Sequence, residues 1–430
     1  MMIPIVRRGV PYLSRDVEPA GSLQSAASAE TPQVGLAPGV MIADDASWWR
    51  DVAAGLPTMP ARAERSVLLL RALDLFAHGR VDVPGLGAQD AVQFEQTLLR
   101  RCGLPPGLTR RWSATLQHLF VERSVAECET DKAEAVVGGG LEVVSLPANT
   151  FVCLEAVGEA LLRADAVWVR PSRREPFSAA RLLGCLMAVG WPAARLGLYA
   201  TRPDALSTLV RVADRAVVFG GSALPPALSR CPQVDFRGPG RARALVADHA
   251  DPVQVAARLL PLMAADAGRF CSSVGTILCS GGTDLIGRCL ADGLDQIRLG
   301  LPEDARFPQA LAGAADAAAW EAWIAARLRP GDRVLTQRPL RTVTDDGCVV
   351  APSLISVADV AGHPLLGLEL PFPVAAIAHA RAREHAELCA GAGFVHVLDA
   401  APAQVMAGLR PSVRVFHHNV DVQGRAGAWT

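Results

Sequence analysis

The stretch that decides the fold is residues 141–172, LEVVSLPANTFVCLEAVGEALLRADAVWVRPS. Its first six residues, LEVVSL, have the pattern of a strand, and residues 150–162 repeat apolar side chains at helical spacing. A short apolar run follows at Ala166–Val169. A strand, a helix and a strand in this order predict a βαβ unit, in which the two strands are parallel neighbours.

The same alternation continues beyond this unit. The next predicted elements are a helix at Phe177–Val189, a strand at Leu196–Tyr199, a helix at Ala205–Ala213 and a strand at Ala216–Phe219. A second alternating region includes a helix from Pro252, a strand at Thr276–Cys279, a helix at Leu285–Leu294 and an Ala-rich surface helix at Ala310–Ala326. These patterns predict an α/β protein with two Rossmann-like domains, each built on a parallel sheet.

Composition and periodicity divide the chain into four predicted parts. Residues 1–40 are rich in Pro, Ala, Ser and Gly and are predicted to be a loosely ordered arm. Residues 41–240 combine a helical layer with a dinucleotide-binding domain around the first βαβ unit. Residues 241–400 form a second, catalytic domain that carries Cys271, and residues 401–430 are predicted to be a bridging segment with oligomer contacts.

The composition is that of a folded protein with balanced charge. Of the 430 residues, 50% are hydrophobic and 20% are charged, and the formal net charge is -1. This balance gives no reason to expect nucleic acid or an anionic membrane as a partner. The cysteines include no CxxC pair and no zinc-site spacing, so no metal is expected. Without a signal peptide or a run of about 18 apolar residues, the sequence predicts a soluble, cytoplasmic protein.

Cys271 is the candidate nucleophile. It lies in GRFCSSVG, residues 268–275, directly before a predicted buried strand. Ser272 and Ser273 make this segment polar. The preceding apolar helix ends shortly before it, which would place the thiol in a cleft. A thiolate in that position could attack a carbonyl carbon and form a covalent intermediate. The other interpretation is a buried, inert cysteine beside a strand, which is common in proteins.

Polar residues follow two of the predicted strands in the first domain. Asn149 comes after the first strand, where its amide could donate to an oxyanion beside the backbone N–H of Cys271, or could cap the next helix. Arg170, Ser172 and Arg173 come after the second strand. They could clamp an adenosine ribose and its 2′-phosphate, or they could form a solvated turn.

Three further segments are candidates for contacts with a cofactor or substrate. Gly220, Gly221 and Ser222 follow a predicted strand and would let backbone N–H groups approach a pyrophosphate. Glu369 is the single acid in the apolar segment LELPFPV, where it could bond the nicotinamide ribose hydroxyls or be an exposed loop carboxylate. The pair at 417–418, HH, is either a proton donor or structural.

Taken in chain order, these residues resemble the motifs of the aldehyde dehydrogenase superfamily. Asn149 matches its oxyanion asparagine, and Cys271 matches its nucleophile. The segments that match its Lys-Pro-Ser, Phe-Thr-Gly-Ser and Glu-x-Phe-Gly-Pro motifs are Arg170-Pro171-Ser172, Phe219-Gly220-Gly221-Ser222 and Glu369-Leu370-Pro371-Phe372-Pro373. In the last of these, Phe372 is one place late and the glycine is absent. The resemblance covers about residues 141–420 and implies a nicotinamide cofactor and chemistry at an acyl carbon.

One departure from the family changes the expected reaction. Hydrolytic members carry a water-activating glutamate in Glu-Leu-Gly-Gly-Lys, whereas residues 235–241 here read DFRGPGR, with Phe236 or Arg237 at that position and Asp235 beside it. The Cys271 and Gly-Pro-Gly segments are closer in pattern to the acyl-CoA reductase branch, which includes the fatty acid reductase of bacterial luminescence. That resemblance implies that NADPH, or NADH, reduces an acyl group from acyl-CoA or an acyl carrier protein to an aldehyde.

Two alternatives stand beside this reductase, and a homo-oligomer is expected. One alternative is an ordinary NAD(P)-dependent aldehyde dehydrogenase with a relocated base, which would release a carboxylic acid. The other is a catalytically silent binding subunit that keeps the fold. A homo-oligomer is expected because residues 413–416 read as a strand and residues 125–140 as a polar connection. The superfamily builds dimers by extending a sheet across two subunits.

Overall fold

The fold consists of two compact α/β units, Met1–Gly238 (unit 1) and Pro239–Thr430 (unit 2). The computed structural model describes residues 1–23, 31–56, 58–130, 139–221, 226–248, 250–301, 305–399, 409 and 413–418. Each unit contains a sheet of seven strands whose central strands are parallel. The predicted α/β class with two parallel-sheet domains is therefore confirmed. Within the described ranges, no helix combines the length and the apolar character needed to cross a membrane.

Unit 1 is built around the predicted βαβ repeats. Its strands are β1 (Met2–Ile3), β2 (Ile5–Arg7), β3 (Val10–Tyr12), β4 (Val17–Pro19), β5 (Gln33–Gly35), β6 (Val81–Val83), β7 (Gly87–Gln89), β8 (Leu141–Ser145), β9 (Ala166–Arg170), β10 (Leu196–Leu198), β11 (Arg215–Phe219) and β12 (Val234–Arg237). Its helices are α1 (Gly39–Val52), α2 (Arg62–His78), α3 (Ala91–Cys102), α4 (Pro106–Thr130), α5 (Glu155–Arg163), α6 (Phe177–Ala188), α7 (Pro203–Val212) and α8 (Pro226–Ser229).

The main sheet of unit 1 has the strand order β12-β11-β8-β9-β10-β2-β3. Strands β12 to β10 are parallel, because a helix returns the chain to the same edge after β8, β9 and β10. On one face, α1 and α7 cover the sheet with side chains such as Trp49 and Leu209, which pack with Val143 and Trp168. The carboxyl ends of β8, β9, β10 and β11 therefore lie at one edge, where α/β sheets bind ligands.

The described residues among 1–40 do not form the loosely ordered arm that the composition suggests. Strand β2 pairs antiparallel with β10, and β3 pairs with β2, so the N-terminal segment extends the main sheet. Ile5 and Val6 are fully buried. The prediction fails because these strands have only three residues each, too few to show periodicity, and they are stabilised by pairing and burial rather than by a local pattern.

Unit 2 repeats the α/β arrangement. Its strands are β13 (Arg243–Val246), β14 (Thr276–Cys279), β15 (Arg333–Val334), β16 (Arg341–Thr344), β17 (Gly347–Val350), β18 (Ser353–Val357), β19 (Val374–His379), β20 (Phe394–Leu398) and β21 (Arg414–His418). Its helices are α9 (Pro252–Ala264), α10 (Thr283–Asp295), α11 (Ala314–Ala325) and α12 (His385–Leu388). The main sheet has the order β15-β18-β19-β14-β13-β20-β21, in which only the short edge strand β15 is antiparallel.

Helix α9 begins at Pro252, as predicted, and runs through Pro261 to Ala264. Two other predictions change in the structure. Helix α4 extends to Thr130, so the first part of the predicted polar connection at 125–140 is helical and residues 131–138 lie outside the described residues. Helix α11 has Ala317 and Ile324 buried, so it packs on the unit and is not purely a surface helix. The strand predicted at 413–416 is confirmed as β21.

Candidate active site

Cys271 is exposed on the turn that leads into β14. The backbone before it is unusual, because Asp266, Ala267 and Gly268 are all left-handed, with φ values of 52°, 57° and 65°. This conformation costs roughly 1–3 kcal/mol at a residue other than glycine and is often found at functional sites. The interpretation of Cys271 as a buried cysteine is wrong, because the residue is exposed on this turn.

Two other segments of unit 2 pack against the backbone around Cys271. A Cβ atom at Gly240 would lie 1.8 Å from the Cys271 carbonyl oxygen and 2.8 Å from its Cβ, so only glycine fits there. A Cβ atom at Gly268 would lie 2.6 Å from the Pro373 nitrogen. The Gly-Pro-Gly segment and the segment that carries Glu369 are therefore both neighbours of the Cys271 turn.

Glu369 reaches the same Gly-Pro-Gly segment through its carboxylate. Although the residue is exposed overall, its Oε2 accepts a hydrogen bond of 3.3 Å from the backbone N–H of Arg241. Partial burial of the carboxylate raises its pKa above the ordinary value, and the backbone N–H groups of Arg241 and Gly240 oppose that shift. The structure thus places Glu369 beside the loop that touches Cys271.

His396 was not predicted from the sequence, although it contacts the Cys271 turn. It is fully buried on β20, with its Nε2 3.0 Å from the carbonyl oxygen of Ser272. Its Nδ1 lies 3.0 Å from Nε2 of His418, whereas His417 is exposed. His396 could have been found in the sequence because it lies inside the apolar strand FVHVL. A histidine ring buried there needs hydrogen-bond partners.

In unit 1, Arg170 ends β9 and turns its guanidinium towards the neighbouring strand ends. It donates to Oγ1 of Thr201 at 2.9 Å, to the Thr201 carbonyl oxygen at 3.2 Å and to Oγ of Ser145 at 3.3 Å. Desolvation lowers its pKa. None of its partners among the described residues is a carboxylate. A partly buried guanidinium whose described partners are neutral is suited to bind an anion.

Asn149 lies half-exposed in the bend after β8. The interpretation of Asn149 as a helix N-cap is wrong, because the following short helix begins at Val152 and its N-cap residue is Phe151. The hydroxyl of Thr150 accepts the backbone N–H of Val152 at 3.1 Å.

The other two residues after β9 have partners within unit 1. The hydroxyl of Ser172 accepts the backbone N–H of Arg174 at 3.2 Å. Arg173 forms an ion pair with Glu18. Of the two arginines in the predicted clamp, Arg173 pairs with a carboxylate, whereas the described partners of Arg170 do not include one.

In the turn predicted to bind a pyrophosphate, one backbone N–H already has an acceptor. The Gly220 N–H donates to the Arg237 carbonyl oxygen at 3.2 Å and so is already used. Gly221 is exposed, and a Cβ atom there would meet nothing within 4 Å. Ser222 lies outside the described residues.

Arg237, at or next to the water-activating position, belongs to an ion-pair network in unit 1. Its guanidinium lies 3.3 Å from Asp235, 3.4 Å from Glu155 and 3.5 Å from Glu159. These carboxylates raise the pKa of Arg237 against the lowering effect of desolvation. Asp235 therefore forms an ion pair with Arg237. In the described part of the chain, no cluster of three or more His, Cys, Asp or Glu residues could hold a metal ion.

Solved structures with the same fold are aldehyde dehydrogenases at low identity. A putative aldehyde dehydrogenase from Burkholderia cenocepacia is 18% identical with a TM-score of 0.77, over 98% of this chain and 92% of the other. An NAD-dependent aldehyde dehydrogenase from Sinorhizobium meliloti is 16% identical with a TM-score of 0.76, over 98% and 88%. An NADP-dependent glyceraldehyde-3-phosphate dehydrogenase from Bacillus halodurans, complexed with NADP, is 16% identical with a TM-score of 0.75, over 97% and 90%. At such identities the similarity establishes the fold.

Sequence comparisons decide the family. A search of curated proteins gives no significant match. The model of the aldehyde dehydrogenase family, in contrast, matches residues 144–389, a range that includes Asn149, Cys271 and Glu369. The match covers more than half of the 430 residues. The chain therefore belongs to the aldehyde dehydrogenase family.

Proposed function

We propose that this protein reduces an acyl thioester to an aldehyde with NAD(P)H, through a covalent acyl group on Cys271. The observation that carries the proposal is the backbone packed against Cys271. This backbone comes closest to Cys271 at Gly240, where no side chain fits. The two residues before Gly240 are Gly238 and Pro239. This segment therefore offers no base to activate water, so an acyl group would persist until it is reduced.

The proposed reaction begins with attack by the Cys271 thiolate on the thioester carbonyl carbon. A C–S bond forms, and the carbonyl electron pair moves to oxygen, where the Asn149 amide and the Cys271 backbone N–H stabilise the oxyanion. Collapse of this adduct expels the carrier thiolate and leaves acyl-Cys271. A bound reduced nicotinamide would supply the hydride for the acyl carbon. Release of the aldehyde then returns Cys271 to the thiolate.

The described residues fit a nicotinamide dinucleotide at the strand ends of unit 1. Arg170 is a partly buried cation with no carboxylate among its partners in the described residues, which suits a phosphate or a polar ribose edge. Ser172 and Gly221 lie at the same edge and would contact the adenosine ribose and the pyrophosphate. A role for Arg173 is proposed from its position after β9, and roles for Gly220 and Ser222 are proposed from the family resemblance. Glu369 is proposed to bond the nicotinamide ribose, after exchanging its bond to the Arg241 backbone for a ribose hydroxyl.

The proposed function is tested by measuring the reduction of a thioester. With NADPH and a panel of acyl-CoA or acyl carrier protein thioesters, we expect equal amounts of aldehyde, free thiol and oxidised cofactor. Cofactor absorbance, thiol titration and aldehyde trapping measure the three products. Failure to form aldehyde from any thioester, together with steady oxidation of aldehydes to acids, would remove the reductase proposal.

A preference for NADPH is expected from Arg170. A guanidinium pairs well with the dianionic 2′-phosphate, so Arg170→Ala is expected to weaken NADPH binding about 10-fold or more and to leave NADH binding less affected. Fluorescence titration of both cofactors checks this expectation. Arg211→Ala is the matched control, since Arg211 is an exposed arginine on α7 of the same unit and has no proposed role in binding. Tighter binding of NADH than of NADPH by the unmodified protein would contradict the preference.

The second candidate function is an aldehyde dehydrogenase that forms a carboxylic acid, and Glu369 is the observation that favours it. Its carboxylate bonds to the loop that packs on Cys271, and its raised pKa suits a base. In that case the protein would release acid without an added thiol, and Glu369→Gln would stop this release. In the reductase, the same substitution would instead weaken cofactor binding. The silent binding subunit is less favoured, because the Cys271 turn exposes the candidate nucleophile.

The partners of the proposed reaction are an acyl carrier and a second copy of the chain. The carrier is coenzyme A or the phosphopantetheine arm of a carrier protein, since both present the same thioester. We also propose a homo-oligomer in which the edge strand β21 extends the unit 2 sheet towards a second subunit. Light scattering at micromolar concentration is expected to give at least a dimer, and a monomeric mass would contradict this.

A further inference from the structure

A chain of hydrogen bonds leads from the edge strand β21 to the turn that carries Cys271. His418, on β21, contacts His396 on the neighbouring strand β20, and His396 contacts the carbonyl oxygen of Ser272. Both N–N and N–O distances are 3.0 Å. Neither histidine belongs to the motifs that carry the family resemblance, and the proposed reaction does not use either ring.

The Ser272 carbonyl group determines which atom donates in each hydrogen bond of this series. The oxygen of Ser272 can only accept, so Nε2 of His396 carries the hydrogen. A neutral imidazole has one N–H, so Nδ1 of His396 accepts and Nε2 of His418 donates. Burial lowers the pKa of His396 to about 4 and also lowers that of His418. Both rings are therefore neutral near pH 7, with fixed tautomers.

The chain continues through the backbone to Cys271. The peptide group that contains the Ser272 carbonyl also contains the N–H of Ser273, which donates to the carbonyl oxygen of Phe270 at 2.9 Å. The peptide group of that Phe270 carbonyl contains the N–H of Cys271. All donors point in the same direction, so each hydrogen bond polarises the next peptide group. The last group in the series is the Cys271 N–H.

We propose that His396 and His418 are positioning residues that orient and polarise the Cys271 backbone N–H as a donor to the oxyanion. This inference rests on the proposed function only in taking Cys271 as the nucleophile. A hydrogen-bond donor works best in this role when it is aligned before the charge develops. The buried His396, held by His418, supplies that alignment because it joins the turn to strand β20.

The surroundings hold the two rings in place. His396 stacks on Phe416, with ring centroids 5.2 Å apart. Arg258 on α9 donates to the His418 carbonyl oxygen at 2.8 Å and forms an ion pair of 3.2 Å with Asp399. Arg258, Asp399 and the adjacent His417 are thus the charged or titratable groups beside His418 in the described part of unit 2.

Two reactions of the Cys271 thiolate separate a polarising role from a merely structural one. With p-nitrophenyl acetate, the thiolate adds to the carbonyl, an oxyanion forms, and collapse transfers the acetyl group to sulfur and expels nitrophenolate. With iodoacetamide, sulfur displaces iodide from carbon and no oxyanion forms. The first rate depends on the Cys271 N–H, whereas the second reports only the exposure and reactivity of the thiolate.

The expected result is a selective loss of acylation. His396→Leu is expected to slow acylation about 10-fold, which is less than the loss of a whole oxyanion donor, and to change alkylation by less than about 2-fold. His396→Gln keeps an N–H that can reach the Ser272 oxygen, so it is expected to remain within about 3-fold of the unmodified rate. His417→Leu, an exposed neighbour on β21, is the control and is expected to change neither rate.

Several results would overturn the inference. Equal losses in both reactions for His396→Leu and His396→Gln would show a structural role only, and no loss of acylation would show no role. Absence of Cys271 acylation in the unmodified protein would also contradict it. The proposed function can fail separately: if the selective loss is seen but no thioester is reduced, the histidine pair acts as inferred on a different reaction.

Discussion

Cys271→Ser is expected to lower thioester reduction by about 10⁴-fold or more, which is the scale of loss when a covalent nucleophile is removed. A serine hydroxyl has a far higher pKa than a thiol and leaves more slowly from the acyl adduct. Because Cys271 is exposed on a turn, the substitution removes little packing. The measurements are the turnover rate, the thermal unfolding midpoint and cofactor binding, of which only the first should change.

Cys289→Ser is the matched control for this prediction. Cys289 is a partly buried thiol on α10 in the same unit, so it tests whether any loss of a thiol has the same effect. We expect its turnover to stay within about 3-fold of the unmodified rate. Substantial reductase activity in Cys271→Ser would show that Cys271 is not the nucleophile.

The sequence predicted the parts of the fold that have a strong local pattern. Strands β8 and β14 and the helices after them were visible because buried parallel strands are continuous apolar runs. Strands β2 and β3 were missed because their pairing with β10 gives them stability that their own residues do not show. The prediction of a loosely ordered arm, which was made from composition, is therefore wrong for the described N-terminal residues.

Cys271 and Asn149 stay candidates for the site, and the sequence did not show which residues the candidates contact. Cys271 was selected as a thiol directly before a strand, and Asn149 as an amide after one. The bonds of Glu369 to the Arg241 backbone and of Arg173 to Glu18 join residues far apart in sequence, so no spacing rule finds them. His396 was missed because a histidine within an apolar strand has no local sign of its partner.

A dependence on added thiol is the second large effect expected. Supplied with an aldehyde and oxidised cofactor, the protein should form acyl-Cys271 and then stop, because the Gly-Pro-Gly segment has no base for water. General base assistance is typically worth about 10²–10⁴-fold, so hydrolysis should be slower than thiol exchange by a comparable factor. Coenzyme A or a pantetheine thiol should restore continuous turnover and give the thioester.

The most direct test of the account is the amount of reduced cofactor formed from aldehyde without any thiol. A rapid burst of about one equivalent per Cys271, with an acyl group found on that residue by peptide mass spectrometry, is the predicted result. Adding coenzyme A should then give a linear rate and release of thioester. Steady production of free carboxylic acid over many turnovers without thiol, abolished by Glu369→Gln, would contradict the reductase and establish the dehydrogenase alternative.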